Sequence, residues 1–232
     1  LRDAGVEVSG FLPPRFWPWA PTFNFRNHRK LICIDGKISF IGGINIGDEY
    51  IHSWRDIAVK IEGPSSSQLE KVFIEDWNFS TKQDVNPIGK GGFSFVENDL
   101  CTVIASGPDC DINCSHDIFF QLLSRANEKI WIQTPYFIPP SSITYALRAA
   151  VLRGVDVKII LPQENDVKLV GLASKSYYKF LLTSGVQIFE YTKSMLHSKA
   201  TIVDNYVFLG SSNIDSRSFK LNFELGSLIQ SP

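Results

Sequence analysis

The sequence has neither a large charge excess nor a long apolar run. Its 232 residues carry 23 Lys and Arg against 24 Asp and Glu, a formal net charge of −1. Nucleic-acid-binding proteins usually carry a basic excess, so this balance weighs against that class but leaves a local basic site open. No stretch of about 18 apolar residues occurs, and we therefore predict no transmembrane segment within the chain.

Cysteine is also scarce, with four residues in the chain: Cys33, Cys101, Cys110 and Cys114. Cys110, Cys114 and His116 are candidate zinc ligands, but three ligands at that spacing match no standard zinc site. We therefore predict free thiols in a reducing compartment, and neither a metal nor another cofactor.

Two segments of the chain repeat one pattern of polar residues. They are "NHRKLICIDGKISFIGGIN" (27–45) and "LHSKATIVDNYVFLGSSN" (196–213), and both contain H-x-K-x(4)-D followed by a Gly-led turn that ends in Asn. The residues concerned are His28, Lys30, Asp35 and Asn45 in the first copy, and His197, Lys199, Asp204 and Asn213 in the second. Matched spacings of this kind indicate an internal duplication.

Two carboxylates extend the match downstream. Asp56 follows His28 by 28 positions, and Glu224 follows His197 by 27. The one-residue difference is explained by a shorter turn in the second copy, "DN" against "DGK". A hairpin turn absorbs such a deletion without changing the register of its strands.

Alternating strand-like and helix-like segments predict an α/β sheet. Strands are predicted at 101–106, 129–137, 155–162 and 186–191, and helices at 66–79, 116–128, 141–153 and 166–184. The predicted fold is α/β, with two pseudo-symmetric lobes that are each a mixed β-sheet flanked by helices.

The repeat also predicts the domain boundaries. Residues 1–62 are the C-terminal part of a first lobe, 63–100 a connecting helix and linker, and 101–232 a second lobe. Aligning the two copies predicts that the first lobe is incomplete, lacking roughly 65 to 70 residues at its front.

The H-x-K pattern places two side chains on one face of a strand. Because side chains alternate, His28 and Lys30 point the same way, as do His197 and Lys199. Asp35 lies an odd number of positions from Lys30, on the other face or beyond the strand, where a structural role is favoured. If the lobes meet, the two sets converge on one point.

A phosphodiester is the ligand that such a site is best suited to bind. The lysines, with the amides of Asn45 and Asn213, would hold its non-bridging oxygens, and Ser211 would shape the pocket. One histidine attacks phosphorus and the other protonates the departing alkoxide, although the spacing does not say which. Asp56 and Glu224 would orient the imidazoles through their other ring nitrogens.

The two H-x-K-x(4)-D-x(5 or 6)-G-[GS]-x-N motifs resemble those of the phospholipase D superfamily. The wider sequence, including "WRDIAVKIEGP", "TPYFIPP" and "SRSFKLNFE", is similar to bacterial cardiolipin synthases over nearly the whole chain. The resemblance implies transfer of a phosphatidyl group between two phosphatidylglycerol molecules, with release of glycerol. It also implies association with the bacterial cytoplasmic membrane, because family members carry N-terminal membrane helices.

The resemblance further assigns roles within the motifs. His28 is implied to be the nucleophile that forms a phosphatidyl-histidine intermediate, and His197 the acid and then the base. The motif residues that the resemblance implies to be catalytic are His28, Lys30, Asp35, His197, Lys199 and Asp204. Three other functions compete: a hydrolase that uses water as acceptor, a nuclease of the same superfamily, and a non-catalytic membrane-binding module.

An aromatic segment with four prolines, residues 11–30, precedes the first motif. Proline excludes a regular helix or a central strand here, so we predict an irregular loop. The loop either lies among lipid headgroups, with Arg15, Arg26 and Arg29 meeting anionic lipid, or packs on the lobe. Trp54 and Tyr136 are predicted core residues, although Tyr136 also ends a strand at a border where ligands bind.

Overall fold

The computed structural model describes residues 1–12, 21–88, 100–109 and 114–230. Cys110 and residues 13–20 of the predicted aromatic loop, which include Arg15, lie outside the described residues.

The strands follow one another through both halves of the chain. In chain order they are β1 (Arg26–Asn27), β2 (Leu31–Ile34), β3 (Ile38–Gly42), β4 (Ala58–Glu62), β5 (Cys101–Ser106), β6 (Lys129–Gln133), β7 (Phe137–Ile138), β8 (Asp156–Pro162), β9 (Gln187–Tyr191), β10 (Ala200–Val203), β11 (Tyr206–Gly210), β12 (Ile214–Asp215) and β13 (Asn222–Gln230).

The helices lie between these strands. They are α1 (Asp48–His52), α2 (Pro64–Thr81), α3 (Cys114–Arg125), α4 (Ser141–Leu152), α5 (Lys168–Ser176), α6 (Tyr178–Thr183) and α7 (Ser216–Lys220), and Arg2–Ala4 and Pro21–Asn24 form short 3₁₀ turns.

The largest sheet is mixed, and helices flank it. Its order is β1-β13-β11-β10-β6-β8-β9, with β5 also paired to β13. The pairs β6–β8 and β8–β9 are parallel, whereas β10 and β11 pair antiparallel with their neighbours. Phe119, Leu123 and Leu147 of α3 and α4 are buried in one core with Ile132 and Ile159 of the sheet, and such apolar burial is the main stabilising term. The predicted α/β class with a mixed sheet is confirmed.

A second, smaller core joins the two halves of the chain. Strands β2, β3 and β4 form an antiparallel sheet of their own. Ile41 and Ile61 of that sheet pack with Leu69 and Val72 of α2, and Leu225 of β13 completes the cluster. The first-half sheet is therefore fixed against the large sheet by apolar contact.

Two predicted elements differ in extent. The strand predicted at 129–137 ends at Gln133, because Pro135 has no N–H for the ladder, and Phe137–Ile138 pairs instead with β12. The helix predicted at 166–184 is interrupted at Tyr177, whose N–H bonds to Ser174 O three residues back. That tighter turn separates α5 from α6.

Phe11 and Arg29, at the two ends of the aromatic segment, pack on the protein. The ring of Phe11 lies 5.2 Å from that of Phe79 and 5.0 Å from that of Phe223. Arg29 Nη1 lies 2.6 Å from Asp76 Oδ1, and its Nη2 donates to Ser106 O. The expectation that Arg29 meets anionic lipid is therefore wrong, because its charge already has a partner inside the fold.

Asp35 and Asp204 lie in hairpin turns, which corrects their inclusion among the catalytic residues. Both adopt a left-handed backbone with φ of 52°, a conformation that Asp tolerates better than most residues. They follow β2 and β10, at the opposite ends of these strands from the His-x-Lys pairs. Asp204 accepts hydrogen bonds from the N–H groups of Asn127, Glu128 and Lys129, over 3.0, 2.9 and 3.0 Å.

We expect Asp204→Ala to lower the free energy of unfolding by about 1–3 kcal/mol, because three amide donors lose their acceptor. Chemical denaturation measures the change. Asp35→Ala is the matched control, since it carries the same left-handed backbone cost and the Asp35 side chain is exposed. Equal losses in the two variants would contradict the structural role of the Asp204 carboxylate.

Candidate active site

His28 lies where the first half of the chain joins the large sheet. Strand β1 pairs in parallel with the start of β13, and the His28 N–H donates to Phe223 O over 2.8 Å. The imidazole is 38% exposed, and its Nδ1 lies 3.4 Å from Glu224 Oε1. Asn222 Nδ2 is the nearer neighbour of Nδ1, at 3.2 Å. One ring edge is thus held inside the protein while the ring stays accessible.

His197 occupies the equivalent position just before β10. Its N–H donates to Arg55 O over 2.8 Å, and the Arg55 N–H donates to Met195 O over 2.9 Å. The imidazole is 10% exposed, and its Nδ1 lies 2.7 Å from Asp56 Oδ2. This distance is that of a charge-assisted hydrogen bond, and it leaves Nε2 as the nitrogen for chemistry.

Each imidazole takes its carboxylate from the other half of the chain. His28 lies beside Glu224 and His197 beside Asp56, a crossed pairing that the sequence does not specify. The backbone is crossed in the same way, because each histidine N–H bonds to the residue that precedes the opposite carboxylate. The two copies therefore meet at one site as equivalent units.

The glycine that opens each Gly-led turn allows a close backbone approach. A Cβ on Gly42 would lie 2.3 Å from Ile57 O, and one on Gly210 would lie 2.3 Å from Leu225 O. No other residue fits at these distances. The carboxylate-bearing segment is therefore held directly against the turn in both copies.

Two lysines lie beside the histidines. Lys199 Nζ donates to His197 O over 2.5 Å and is 3.0 and 3.2 Å from the two ring nitrogens. Burial lowers the pKa of Lys199 to about 7, since desolvation disfavours the cation. Lys30 Nζ donates to His28 O over 2.9 Å, and burial also lowers the pKa of Lys30.

The charges of both halves act on one another. Asp56 and Glu224 each raise the pKa of both lysines against the larger effect of burial, and Lys30 lowers the pKa of Lys199. Burial likewise lowers the pKa of His197, opposed by its bond to Asp56. The lysines, the carboxylates and His197 therefore lie close enough for their charges to interact.

Aromatic rings surround His197. Trp54 lies 5.1 Å from the imidazole, Tyr50 5.4 Å and Tyr136 6.4 Å, between ring centroids. Trp54 and Tyr136 were predicted to belong to the core, and the structure corrects this because both contact the site histidine. The hydroxyl of Tyr136 donates to Asp166 over 2.9 Å, and Asp166 raises the pKa of Tyr136, after the larger effect of burial.

The predicted phosphate-binding residues take different positions. Asn45 is exposed, and its Nδ2 donates to Tyr50 Oη over 2.6 Å. Asn213 is buried, and its Oδ1, like Ser212 Oγ, has no hydrogen-bond partner among the described residues. Ser211 is buried, and its hydroxyl donates to Glu224 Oε2 over 2.5 Å and so supports the carboxylate.

No group of three or more His, Cys, Asp or Glu side chains within the described ranges could hold a metal ion. His116 instead contacts Asp117 Oδ1 over 2.9 Å and Ser142 Oγ over 2.8 Å. Among the helices in the described ranges, none is long and apolar enough to cross a membrane.

Comparison with known families places the chain. A family model described as "Cardiolipin synthase, PLD-like domain" matches residues 1–77 and 119–232. The chain belongs to this family. Both histidines, both lysines and both carboxylates of the site lie within the matched residues.

Curated cardiolipin synthases are similar to nearly the whole chain. The cardiolipin synthase of Alkalihalophilus pseudofirmus is 40% identical over 99% of this chain and 48% of its own length. Cardiolipin synthase A of Pseudomonas fluorescens is 40% identical over 97% of this chain and 48% of its own length. The chain spans about half the length of the curated relatives it matches.

A solved structure shares the fold. The phosphatidylserine synthase of Haemophilus influenzae superposes with a TM-score of 0.68, covering 90% of this chain and 58% of that chain. Its sequence identity is 18%, so the similarity concerns the fold alone.

Sequence reasoning missed Tyr50 and Asn222 in this cardiolipin synthase-like site. Asn222 carried a usable signal, because it precedes Glu224 by two positions just as Trp54 precedes Asp56. Both members of that pair contact the histidine of the opposite half. Tyr50 carried no signal in spacing, since α1 brings it to His197 only in the folded chain.

We expect Lys199→Met to raise the free energy of unfolding below pH 7 by more than about 1 kcal/mol, because it removes a desolvated cation. The folded-state pKa of about 7 lies below the ordinary 10.5. Between about pH 7 and pH 10.5 the unfolded chain therefore binds more protons at Lys199 than the folded chain does. The free energy of unfolding of the wild type rises with pH in this range. The advantage of the variant should shrink from pH 7 towards pH 10.

Denaturant titrations at several pH values measure this dependence. Lys30→Met is the matched control, since Lys30 is less buried and we expect a smaller gain. A pH-independent effect of Lys199→Met would contradict the shifted titration.

Proposed function

We propose that this chain forms the catalytic centre of a cardiolipin synthase-type phosphatidyltransferase, which moves a phosphatidyl group from one phosphatidylglycerol to a second and releases glycerol. The observation that carries the proposal is the crossed arrangement, in which each imidazole lies beside a carboxylate from the opposite half with a lysine next to it. The identity to curated cardiolipin synthases supports the choice of substrate.

The architecture that fits this function is a pair of pseudo-symmetric phospholipase D-like lobes. Residues 1–62 belong to the first lobe, 63–100 connect, and 101–232 form the second. The equivalent hydrogen bonds of His28 to Phe223 and of His197 to Arg55 support this division. That further residues complete the first lobe stays a prediction of the repeat alignment.

In the first step His28 Nε2 attacks the phosphorus of the donor lipid. A P–N bond forms, the P–O bond to glycerol breaks, and protonated His197 gives its Nε2 proton to the departing oxygen. Burial lowers the pKa of His197 in the free site, and the negative phosphodiester opposes that effect when it binds. Asp56 stabilises the imidazolium form through Nδ1.

In the second step the reaction runs in the opposite sense with a new alcohol. His197, now neutral, accepts the proton from a hydroxyl of the second phosphatidylglycerol, whose oxygen attacks phosphorus. The P–N bond breaks and cardiolipin leaves. Both histidines return to their starting states, so the cycle balances without a cofactor.

The lysines and the buried turn hold the phosphate. Lys30 and Lys199 supply positive charge where negative charge develops in the transition state. Ser212 Oγ and Asn213 Oδ1 are buried polar atoms without partners in the described part of the chain. A bound lipid would satisfy them, because the Ser212 hydroxyl can donate to a phosphate oxygen and Asn213 Oδ1 can accept from a glycerol hydroxyl. Asn45 would join only after its amide leaves Tyr50.

The substrates are bilayer lipids, so the enzyme works at a membrane surface, which we place at the bacterial cytoplasmic membrane. The formal net charge of −1 gives no general attraction for nucleic acid. A phospholipase D-type hydrolase is the alternative, favoured by one observation. His28 is 38% exposed, so water has access to the proposed covalent intermediate.

The test supplies phosphatidylglycerol in mixed micelles to the natural full-length gene product. We expect cardiolipin and glycerol, and at least about a 10³-fold loss of turnover in His28→Ala and in His197→Ala, since each removes a group that makes or breaks bonds. His52→Ala, at an exposed histidine outside the site, should keep normal activity. Phosphatidic acid in place of cardiolipin would identify the hydrolase, and a near-normal rate in either site variant would refute the mechanism.

We further expect turnover to be unchanged after dialysis against a chelator, because the proposed charge stabilisation comes from lysines. Product formation before and after dialysis measures this. Strong inhibition that added divalent metal reverses would argue against the scheme.

A further inference from the structure

The two copies of the motif are not equivalent around their carboxylates. Aligning them pairs Ser211 with Gly43, and Asn222 with Trp54. At both positions the second copy has a side chain that donates a hydrogen bond to the carboxylate. The first copy has a glycine at one position and a tryptophan, which lies against the histidine, at the other. The difference therefore lies beside the carboxylates that hold the imidazoles.

Glu224 is fully buried and receives two donors. Ser211 Oγ donates to Oε2 over 2.5 Å, and Asn222 Nδ2 donates to Oε1 over 3.0 Å. The His28 imidazole, at 3.4 Å, is a more distant partner than either. The charge of this carboxylate is thus shared between its two donors and the histidine.

Asp56 has fewer competitors for its charge. A Cβ at Gly43 would lie 2.4 Å from Asp56 Oδ1, so no side chain fits at the position equivalent to Ser211. Oδ1 accepts the N–H of the next residue, Ile57, and Oδ2 is 2.7 Å from His197 Nδ1. Trp54 lies against the ring of His197, where Asn222 faces His28 in the other copy.

The orientation of the Asn222 amide follows from its neighbours. The residue is 2% exposed, and its Oδ1 has no hydrogen-bond partner among the described residues. Exchanging Oδ1 and Nδ2 would leave the buried atom unpartnered and would place a carbonyl oxygen 3.0 Å from Glu224 Oε1. The NH₂ group therefore faces Glu224, and it also lies 3.2 Å from His28 Nδ1.

We propose that Asn222 is a positioning residue that stabilises the phosphatidylated form of His28. This rests on the proposed function. Once Nε2 carries phosphorus, Nδ1 is the only ring nitrogen with a free lone pair in the neutral imidazole. The Asn222 amide is placed to donate to it, whereas the ring of Trp54 faces the histidine that stays unmodified.

The proton balance is complete within the site. During attack by Nε2, the Nδ1–H of His28 faces Glu224 Oε1. As the P–N bond forms, this proton passes to Glu224, and Nδ1 accepts from Asn222 Nδ2. When the second alcohol attacks phosphorus, the proton returns to Nδ1, and the P–N bond breaks with neutral imidazole as the leaving group.

Asn222→Leu and Asn222→Asp test this inference, because both approximate the shape of Asn and remove the amide donor. The natural enzyme and each variant are mixed with phosphatidylglycerol carrying a labelled phosphate and quenched in denaturant at alkaline pH, where phosphohistidine survives. We expect the fraction of folded enzyme that carries label on His28 to fall at least about tenfold in both variants. Loss of a group that orients a reacting side chain typically costs about 10- to 100-fold in activity, and tenfold is the lower end of that range.

The controls separate this role from a structural one. Asn205→Leu lies in the exposed β10–β11 turn, far from the site, and should keep the wild-type level of labelled histidine. Labelling is normalised to folded protein, so lost stability alone does not change it. If either variant fails to fold, Asn222→Ser replaces it, since its short hydroxyl does not reach both partners and the same fall is expected.

The outcomes are distinct. Unchanged labelling in the Asn222 variants, with wild-type enzyme labelled on His28, would overturn this inference and leave the proposed function standing. Absence of label from wild-type enzyme that does not convert the lipid would overturn the proposed function itself.

Discussion

The site depends on the exchange of backbone and side-chain partners between the two halves of the chain. His28 and His197 each donate their N–H to a carbonyl of the opposite half, and each imidazole lies beside the carboxylate that follows that carbonyl. Neither half alone would pair its imidazole with a carboxylate, and Asp56, which is nearly fully buried, would lose its hydrogen bond to His197. A buried carboxylate without a partner is strongly unfavourable. The same contacts therefore hold the halves together and assemble the reacting groups, which explains why small turns and close glycines surround the centre.

Concentrating charge in this way has a cost that the substrate relieves. Burial lowers the pKa of both lysines and of His197, and the nearby carboxylates only oppose the shift. In the free site the two carboxylates do not fully offset the desolvation of the two lysines and His197. A further negative charge would therefore stabilise the protonated forms of these side chains. In the proposed reaction an anionic phosphodiester would supply that charge and would meet groups that are already oriented, so little reorganisation would accompany the reaction. In the proposed reaction, electrostatic preorganisation of this kind is what the lysines and histidines contribute.

Much of this arrangement could be predicted from the sequence, because the repeat encodes it at fixed spacings. The α/β class, most helices and the convergence of His28, Lys30, His197 and Lys199 follow from strand alternation and from the matched motifs. Asp35 and Asp204 belong to the same motif but lie in turns, since β2 and β10 are only four residues long. The crossed pairing of carboxylates and the aromatic wall around His197 depend on how the two halves dock. Periodicity describes one element at a time and does not contain that information.

A duplicated fold raises a chemical problem, because it builds two equivalent histidines for two unequal tasks. In the proposed mechanism one forms and breaks a bond to phosphorus, while the other only moves a proton. The fold keeps the backbone contacts equivalent and varies two side chains, Ser211 against Gly43 and Asn222 against Trp54. Glu224 accepts hydrogen bonds from Ser211 and Asn222, and the Asn222 amide also lies beside the His28 imidazole. Asp56 instead lies 2.7 Å from the His197 imidazole, which aromatic rings surround. The inequivalence thus lies in the groups around Nδ1, and the proposed mechanism leaves both Nε2 atoms for the phosphate.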